Sequence, residues 1–434
     1  MIIQRKSLKK LQFCRKKLFY SLLIGTIVIF SCLHWLGIPL FAQNKVTISI
    51  LMRAPEAKQW QELETKFEAE NPEIDLVIFP GPNATNLVED IYTSAYLLGD
   101  SPYDLVLMDI VWVPKFAAAG WLMPLSNKLD EAELQKFMPG DLNGGMYEGE
   151  LYRIPVRTDA GMLYYRTDLL EKIDAVPPET LQDLVRISKE LQAKNLVEFG
   201  YLWQGKQYEG LSAMFVEILQ GYGAFWIDAT TKEVGLDSEA AIAAVKFLKS
   251  TIGEISPAGV TTYAEEETRL LFQNGKAAFL RNWPYVYKLL EDSVVANKYD
   301  IKPMPYQPPG GKSGACQGGW GLGISVATPH PEAAWRVIEF FSSARVQKIL
   351  SSNYGYTPTR KALFQDPDLV KLYPHLPNLQ KVLENSVLRP AIPQYAQASD
   401  ILQRYLSAAL TNKMSVEKAM NRAAKETRQL LGEL

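Results

Sequence analysis

The chain reads as an α/β protein of two lobes, and three observations predict that. The first is size: the opening 42 residues have the pattern of an export leader, and the 392 that follow are too many for one hydrophobic core. The second is the order of elements in the first third, where apolar strand-like runs alternate with stretches of helical spacing. That order implies parallel strands covered by helices, with ligands favoured at the carboxyl ends of the strands. The third is a second strand-and-helix set that begins after residues 151–165 and ends in a Pro- and Gly-rich break.

The leader holds Arg5, Lys6, Lys9, Lys10, Arg15, Lys16 and Lys17 and no acid, followed by an apolar run from Leu18 to Phe41 and then the small Ala42. A basic n-region, an h-region and a small residue at the cut describe a cleaved signal peptide. The apolar run is also long enough to span a bilayer, so a retained anchor is the alternative. Ile29-Phe30-Ser31-Cys32 resembles a lipobox, with a bulky Phe30 where a small residue is usual. The expected location is the periplasm or the outer face of the cytoplasmic membrane.

In the first set, Val46 to Leu51, Asp75 to Phe79 and Asp104 to Met108 read as strands. The intervening helices run over Glu56 to Glu70, with Trp60, Leu63 and Phe67 on one face, and over Asn86 to Leu98. In the second set the helices are Glu179 to Gln192, Glu209 to Gly221 and one near Ser238 to Ser250, with Ser238 as N-cap. Phe199 to Trp203 is a strand, and the turn Asn274-Gly275 precedes another at Ala277 to Asn282. The cluster from Pro303 to Gly319 is the expected linker. Strand Gly321 to Val326, helix Pro331 to Ser342, a broken stretch at Tyr354 to Pro358 and helices near Gln397 to Leu410 and Ser415 to Leu431 complete the chain.

Without the leader the chain carries 39 basic against 48 acidic side chains. A net negative surface opposes binding to a polyanion, so nucleic acid is not an expected partner. Two of the three cysteines, Cys14 and Cys32, lie in the leader, which leaves Cys316 alone and no disulfide framework. Nothing between Gly314 and Gly318 supplies a base, so Cys316 reads as a small packed residue. His330 and His375 sit in loop-like contexts, which leaves little material for a His-based triad or a zinc cluster; no metal or other cofactor is expected.

Five segments carry a family resemblance. They are Asp104-Leu-Val-Leu-Met-Asp109 with Trp112 and Phe116-Ala-Ala-Ala-Gly-Trp121; Ile154-Pro155 with Asp159 and Leu163-Tyr-Tyr-Arg-Thr-Asp168; Asn274-Gly-Lys-Ala-Ala-Phe279 with Arg281-Asn-Trp-Pro-Tyr285; Gly318-Gly-Trp-Gly321; and Arg389-Pro390 with Tyr395. In this order they resemble the extracellular substrate-binding proteins of carbohydrate ABC importers, the maltose-binding-protein cluster, and within it the trehalose/maltose- and glucosylglycerol-type branch. The resemblance implies a periplasmic-binding-protein-like type II fold: two α/β lobes joined by a hinge, with a sugar in the cleft between them. It places the first lobe in residues 43–157 and 306–355, and the second in 158–305 and 356–434. The crossings fall near Val156 to Ala160, Pro305 to Gln317 and Asn353 to Arg360.

A sugar alternates hydroxyls with apolar C–H faces, so its site needs charged acceptors and donors together with flat rings. Carried over from the resemblance, Asp109 and Asp159 would accept hydroxyl protons. Trp283 and Tyr285 would stack from the second lobe, Trp320 and the backbone of Gly319 would lie near the second crossing, and Arg389 would donate. Glu56 is a further acceptor, although Arg53-Ala54-Pro55 departs from the Gly-rich turn usual before it. Trp203 ends an expected strand and faces either the cleft or the core.

Each of these residues has a structural alternative: Asp109 as a helix cap, Asp159 as a turn residue, Trp283 and Trp320 as packing, and Arg389 as half of a surface ion pair. An exported glycoside hydrolase using Asp109 and Asp159 is the rival function; the resemblance, to a family of binding proteins, argues for no enzyme. A phosphorylated polyol would be held by Arg53, Arg157 and Arg281. The expected partners are a small sugar and, for a monomer, the membrane subunits of an importer. The chain has no Walker-type segment of its own, so ATP hydrolysis belongs to another subunit.

Overall fold

The computed structural model describes residues 45–432. The signal, anchor and Cys32 readings lie outside the described residues.

The first lobe opens with β1 (Val46–Arg53), α1 (Ala54–Glu70), β2 (Ile74–Gly81), α2 (Thr85–Leu97) and β3 (Leu105–Asp109). β1 runs parallel to β2, with Val46 opposite Ile74, and parallel to β3, with Ile50 opposite Leu105. The chain then forms β4 (Ile154–Ala160) and, after Gly161, β5 (Met162–Arg166). The second lobe continues through α3 (Leu181–Ala193), β6 (Phe199–Leu202), α4 (Glu209–Gly221), α5 (Glu239–Thr251), α6 (Glu265–Gln273), β7 (Ala277–Asn282) and β8 (Tyr299–Lys302). It returns to the first sheet as β9 (Gln317–Ile324), followed by α7 (Pro331–Ser342) and α8 (Ala344–Tyr354); α9 (Tyr395–Leu410) and α10 (Val416–Leu431) close the chain.

The first sheet has the order β2-β1-β3-β9-β4 and the second β8-β5-β7-β6. Both are mixed. The parallel arrangement expected of the first sheet holds for β1, β2 and β3, but β9 comes back from the other lobe and inserts antiparallel to both β3 and β4. It also begins at Gln317 rather than Gly321, so the Pro- and Gly-rich linker ends earlier than its composition implied. Gly318 and Gly319 are ladder residues opposite Asp159 and Thr158. A Cβ on Gly319, whose φ is +148°, would lie 2.9 Å from Asp141 Oδ1 and 3.1 Å from the Arg157 carbonyl, so glycine here permits close strand approach.

Local chemistry sets the helix ends. Thr180 and Asp183 form a capping box at α3, and Ser238 and Ser415 accept from Ala241 and Lys418 amides at α5 and α10. β3, β7 and β9 are buried along their whole length. Each fully buried aliphatic or Phe side chain there stabilises the fold by about 1.5–3 kcal/mol. In the first lobe Trp60 of α1 stacks on Phe341 of α7 with ring centroids 4.2 Å apart. In the second, Leu369 and Leu379 of the short helices Pro367–Leu372 and Leu376–Glu384, with Tyr373 between them, join a core with Tyr164, Phe272 and Leu280, while α9 packs on α4 and α5.

Candidate functional site

The carboxyl ends of β1 and β3 and the middle of β4 face the loop after β7 from the other lobe. β1 ends at Arg53, and the chain turns at once into α1, which carries Glu56. This residue is 3 % exposed, and its carboxylate is shared by two guanidiniums: Arg53 Nε donates to it at 3.1 Å, and Arg157 of β4 donates through Nη2. Burial alone would raise the Glu56 carboxyl, but Arg53 and Arg157 outweigh it and hold it at about 2. Arg157 also lies over Tyr356, 4.5 Å from the ring centroid, and over Trp320 at 5.4 Å; Arg53 lies over Trp320 at 5.2 Å. Trp320 in turn meets Trp112 edge-on at 5.6 Å. The cavity enclosed by Glu56, Trp60, Arg157, Trp320 and Tyr356 is about 10 Å³, the lower limit for one water.

Two residues along β4 from Arg157 stands Asp159, on the same face of the strand. It is only partly buried and makes no hydrogen bond or ion pair to another side chain among the described residues. Burial pushes its carboxyl up to about 6, against the pull of Arg157 and Arg53. Across the ladder from Asp159 is Gly318. A Cβ there would sit 3.3 Å from Asp159 Cβ and 3.4 Å from Trp283 Cζ3, so Gly318 is what lets the carboxylate and the indole come together.

Trp283 is held on several sides. Its Nε1 donates to Glu265 at 3.3 Å, its amide donates to Asn282 Oδ1 at 2.9 Å, and its carbonyl accepts from Tyr164 at 2.8 Å. The guanidinium of Arg281 lies 4.2 Å from its ring centroid. Tyr285, two residues on, is half-buried; burial pushes its phenol up, and Glu265, Arg53 and Asp159 are among its electrostatic neighbours. The structure therefore brings Glu56, Asp159, Trp283, Tyr285 and Trp320 into one interlobe region, with Gly319 supporting the ladder beneath it.

Asp109 ends β3. Its carboxylate caps the turn Ile110–Trp112, 3.5 Å from the Val111 amide, and also accepts from Arg389 Nη2 at 2.8 Å. The capping alternative is thus observed together with an ion pair. Arg389, 4 % exposed, donates its Nη1 to Glu209 at the start of α4 at 2.7 Å, and Glu209 accepts from Tyr395 and, at 2.6 Å, from Ser399. This arginine pairs with acids as its alternative had it, but in the interior and across the two lobes.

Trp203 is a correction. It is fully buried, and its indole N–H donates to Thr251 at 3.1 Å and Ser256 at 3.2 Å, which places it in the core of the second lobe. β6 ends at Leu202, and two hydroxyls from the end of α5 and the loop after it satisfy the one polar atom of a large apolar ring. Arg281 is likewise not at the surface of the cleft. It is fully buried against Glu217, so the three-arginine cradle for a phosphate does not assemble. Cys316 is buried, and burial pushes its thiol up to about 12. Among the described residues no group of His, Cys, Asp and Glu is placed to hold a metal ion.

Tyr356, Glu209 and Glu265 escaped the sequence reading. Tyr356 sits in a stretch with no periodicity, and the two acids begin helices, where a carboxylate reads as ordinary helix chemistry. A larger groove, about 700 Å³, lies away from this region at the start of β1, between Lys45, Phe79, Pro102 and His330, and gathers no comparable set of aromatic and charged side chains.

Residues 53–348 match the family model "Bacterial extracellular solute-binding protein". The chain is 34% identical over 330 residues to a "Probable ABC transporter-binding protein" of Deinococcus radiodurans, covering 74% of this chain and 78% of that one. It is 25% identical over 356 residues to the maltotriose-binding protein of Pyrococcus abyssi, covering 81% and 74%. Maltose-bound T. maritima MalE3 superposes with a TM-score of 0.83 at 36% identity, over 89% of this chain and 100% of that one. A solute-binding protein of Agrobacterium radiobacter K84 in complex with ribitol superposes with a TM-score of 0.81 at 25% identity, over 89% and 99%.

Proposed function

We propose, since the chain belongs to the bacterial extracellular solute-binding protein family, that it holds a neutral disaccharide or glucoside between its lobes and delivers it to the membrane subunits of an ABC importer. The class itself, a sugar-binding component of an ABC transporter, follows from the family and its sugar-binding relatives. The finer ligand, of the trehalose, maltose, sucrose or glucosylglycerol type, is our reading, as are the monomeric state and the exported leader.

One observation carries it: a partly exposed carboxylate without a side-chain partner, Asp159, stands beside an aromatic ring fixed by its neighbours, Trp283, across a glycine at the meeting of the lobes. An ionised acceptor next to a flat ring matches a sugar's hydroxyl edge and C–H face. The names of the relatives support it: one takes maltotriose and one was solved with maltose, while the ribitol complex keeps a linear polyol among the candidates. On this reading the lobes part to admit the sugar and close over it. A ligand then favours closure in proportion to its extra contacts in the closed state.

The rival hydrolase needs two carboxyls, one as proton donor and one as base. Asp159, pushed up to about 6, suits the donor, but Asp109 already pairs with Arg389, and the relatives are named as binding proteins rather than enzymes. For a phosphorylated ligand only Arg53 and Arg157 remain, and both already share Glu56. The test is a thermal-shift screen with maltose, trehalose, sucrose, glucosylglycerol, ribitol and glycerol 3-phosphate, each compound checked for breakdown afterwards. A neutral disaccharide or glucoside that raises the melting temperature and stays intact is the expected result. Cleavage would support the hydrolase, and a shift with glycerol 3-phosphate or ribitol alone would replace the ligand class.

A further inference from the structure

We propose that Arg281 is a positioning residue for ligand recognition: clamped by Glu217, its guanidinium backs Trp283 and ties the orientation of that ring to two of the chain crossings, at Gly161 and Cys316. The inference rests on Trp283 being the ring that meets the sugar.

Arg281 is fully buried, as is Glu217. Its Nε donates to Glu217 Oε2 at 2.8 Å, its Nη2 to Oε1, and its Nη1 to Gln204 Oε1 at 3.2 Å; Gln204 Nε2 donates back to the Arg281 carbonyl at 2.9 Å. A two-pronged pair fixes not only where a guanidinium sits but the plane in which it lies. The guanidinium carbon stands 4.2 Å from the centre of the Trp283 ring, over one of its faces.

The same carboxylate reaches the hinge. Glu217 Oε1 accepts from the Cys316 amide at 3.2 Å, and the Cys316 carbonyl accepts from the Gly161 amide at 3.2 Å. A Cβ on Gly161 would fall 1.6 Å from Glu217 Oε1 and 2.4 Å from Arg281 Nη2, so the pair fills the space under the first crossing. An apolar pair of equal volume would serve stability as well or better. What the ion pair adds is a rigid link between the backbone of these two crossings and the back of the aromatic platform.

The experiment is a double-mutant cycle read in two ways, with maltose as the probe. Arg281→Lys keeps the charge and loses the fork. It is expected to weaken maltose binding roughly three- to thirtyfold in the parent chain and to cost nothing further in a Trp283→Ala background. Trp283 emission, isolated as the difference between each chain and its Trp283→Phe counterpart, should shift to the red and become more open to acrylamide in Arg281→Lys. Glu217→Gln, which keeps the volume, repeats both readings where the lysine variant does not fold. Equal losses with and without Trp283, or unchanged Trp283 emission, would overturn the proposal. Failure of the parent chain to bind maltose would count against maltose as its ligand instead, and the emission arm would still decide the role of Arg281.

Discussion

Two buried arginine–carboxylate systems flank the site, alike in chemistry and opposite in what they join. Arg281 and Glu217 belong to one lobe and are fully dry. Arg389 links Glu209, at the head of a second-lobe helix, to Asp109, at the end of a first-lobe strand, and these carboxylates keep some exposure. The first pair has no part to lose when the lobes separate, so it serves as fixed architecture. The second joins the two lobes, so an opening of the cleft would part Asp109 from Arg389. A bidentate ion pair inside a lobe thus shapes the binding surface, while one between lobes adds to the balance between open and closed states.

The comparison breaks most visibly at Glu217. Glu217→Leu strands a buried guanidinium, and urea unfolding is expected to show a loss of about 3–5 kcal/mol. Next comes Trp283→Ala, which should leave the melting temperature within a few degrees of the parent but weaken sugar binding by about 2 kcal/mol or more, thirtyfold or beyond, by calorimetry. Asp109→Asn sharpens the contrast. Because Arg389 retains Glu209, global stability should change by no more than about 1 kcal/mol, while small-angle scattering of the unliganded protein should report a larger radius of gyration as the open state gains population. An equal loss of global stability in Glu217→Leu and Asp109→Asn would erase the distinction.

The smallest effect is in pH. Asp159 titrates near 6 in the folded chain, above its ordinary value of 3.8, so between about pH 6 and 4 the folded state takes up the proton first. Unliganded stability from this group therefore rises as pH falls through that window, by on the order of 1–2 kcal/mol, and sugar affinity falls because the acceptor is neutralised. Glu56, held at about 2, has the opposite sign: its contribution is lost as pH falls below about 4.5. Asp159→Asn should flatten the affinity profile between pH 4 and 6, and an unchanged profile would remove Asp159 from the site.

Much of this was legible in the residues. The residue pattern located the helix Glu209–Gly221, the turn Asn274-Gly275 marked the strand Ala277–Asn282 after it, and Ser238 announced its helix as an N-cap. The motifs around Asp159, Trp283 and Trp320 marked segments that do meet in space. What failed was long-range information. Glycine spacing cannot reveal that Gly318 and Gly319 are ladder residues, because the partner strand is more than 150 residues away in sequence. Trp203 was ambiguous because a strand end serves core and cleft equally, until two hydroxyls from elsewhere in the lobe claimed its N–H. Arg281 and Arg389 differ by nothing local, and only the fold distinguishes a lobe's internal clamp from a contact across the gap.

The central claim is that a sugar lies between Asp159 and Trp283, and titration calorimetry on the chain lacking residues 1–42 tests it most directly. The parent, Asp159→Asn and Trp283→Ala would each be titrated with maltose, trehalose, sucrose and glucosylglycerol. The account predicts one-to-one binding of at least one of these sugars by the parent and a strong loss in both variants. No binding by the parent, or binding that both substitutions leave intact, would contradict it.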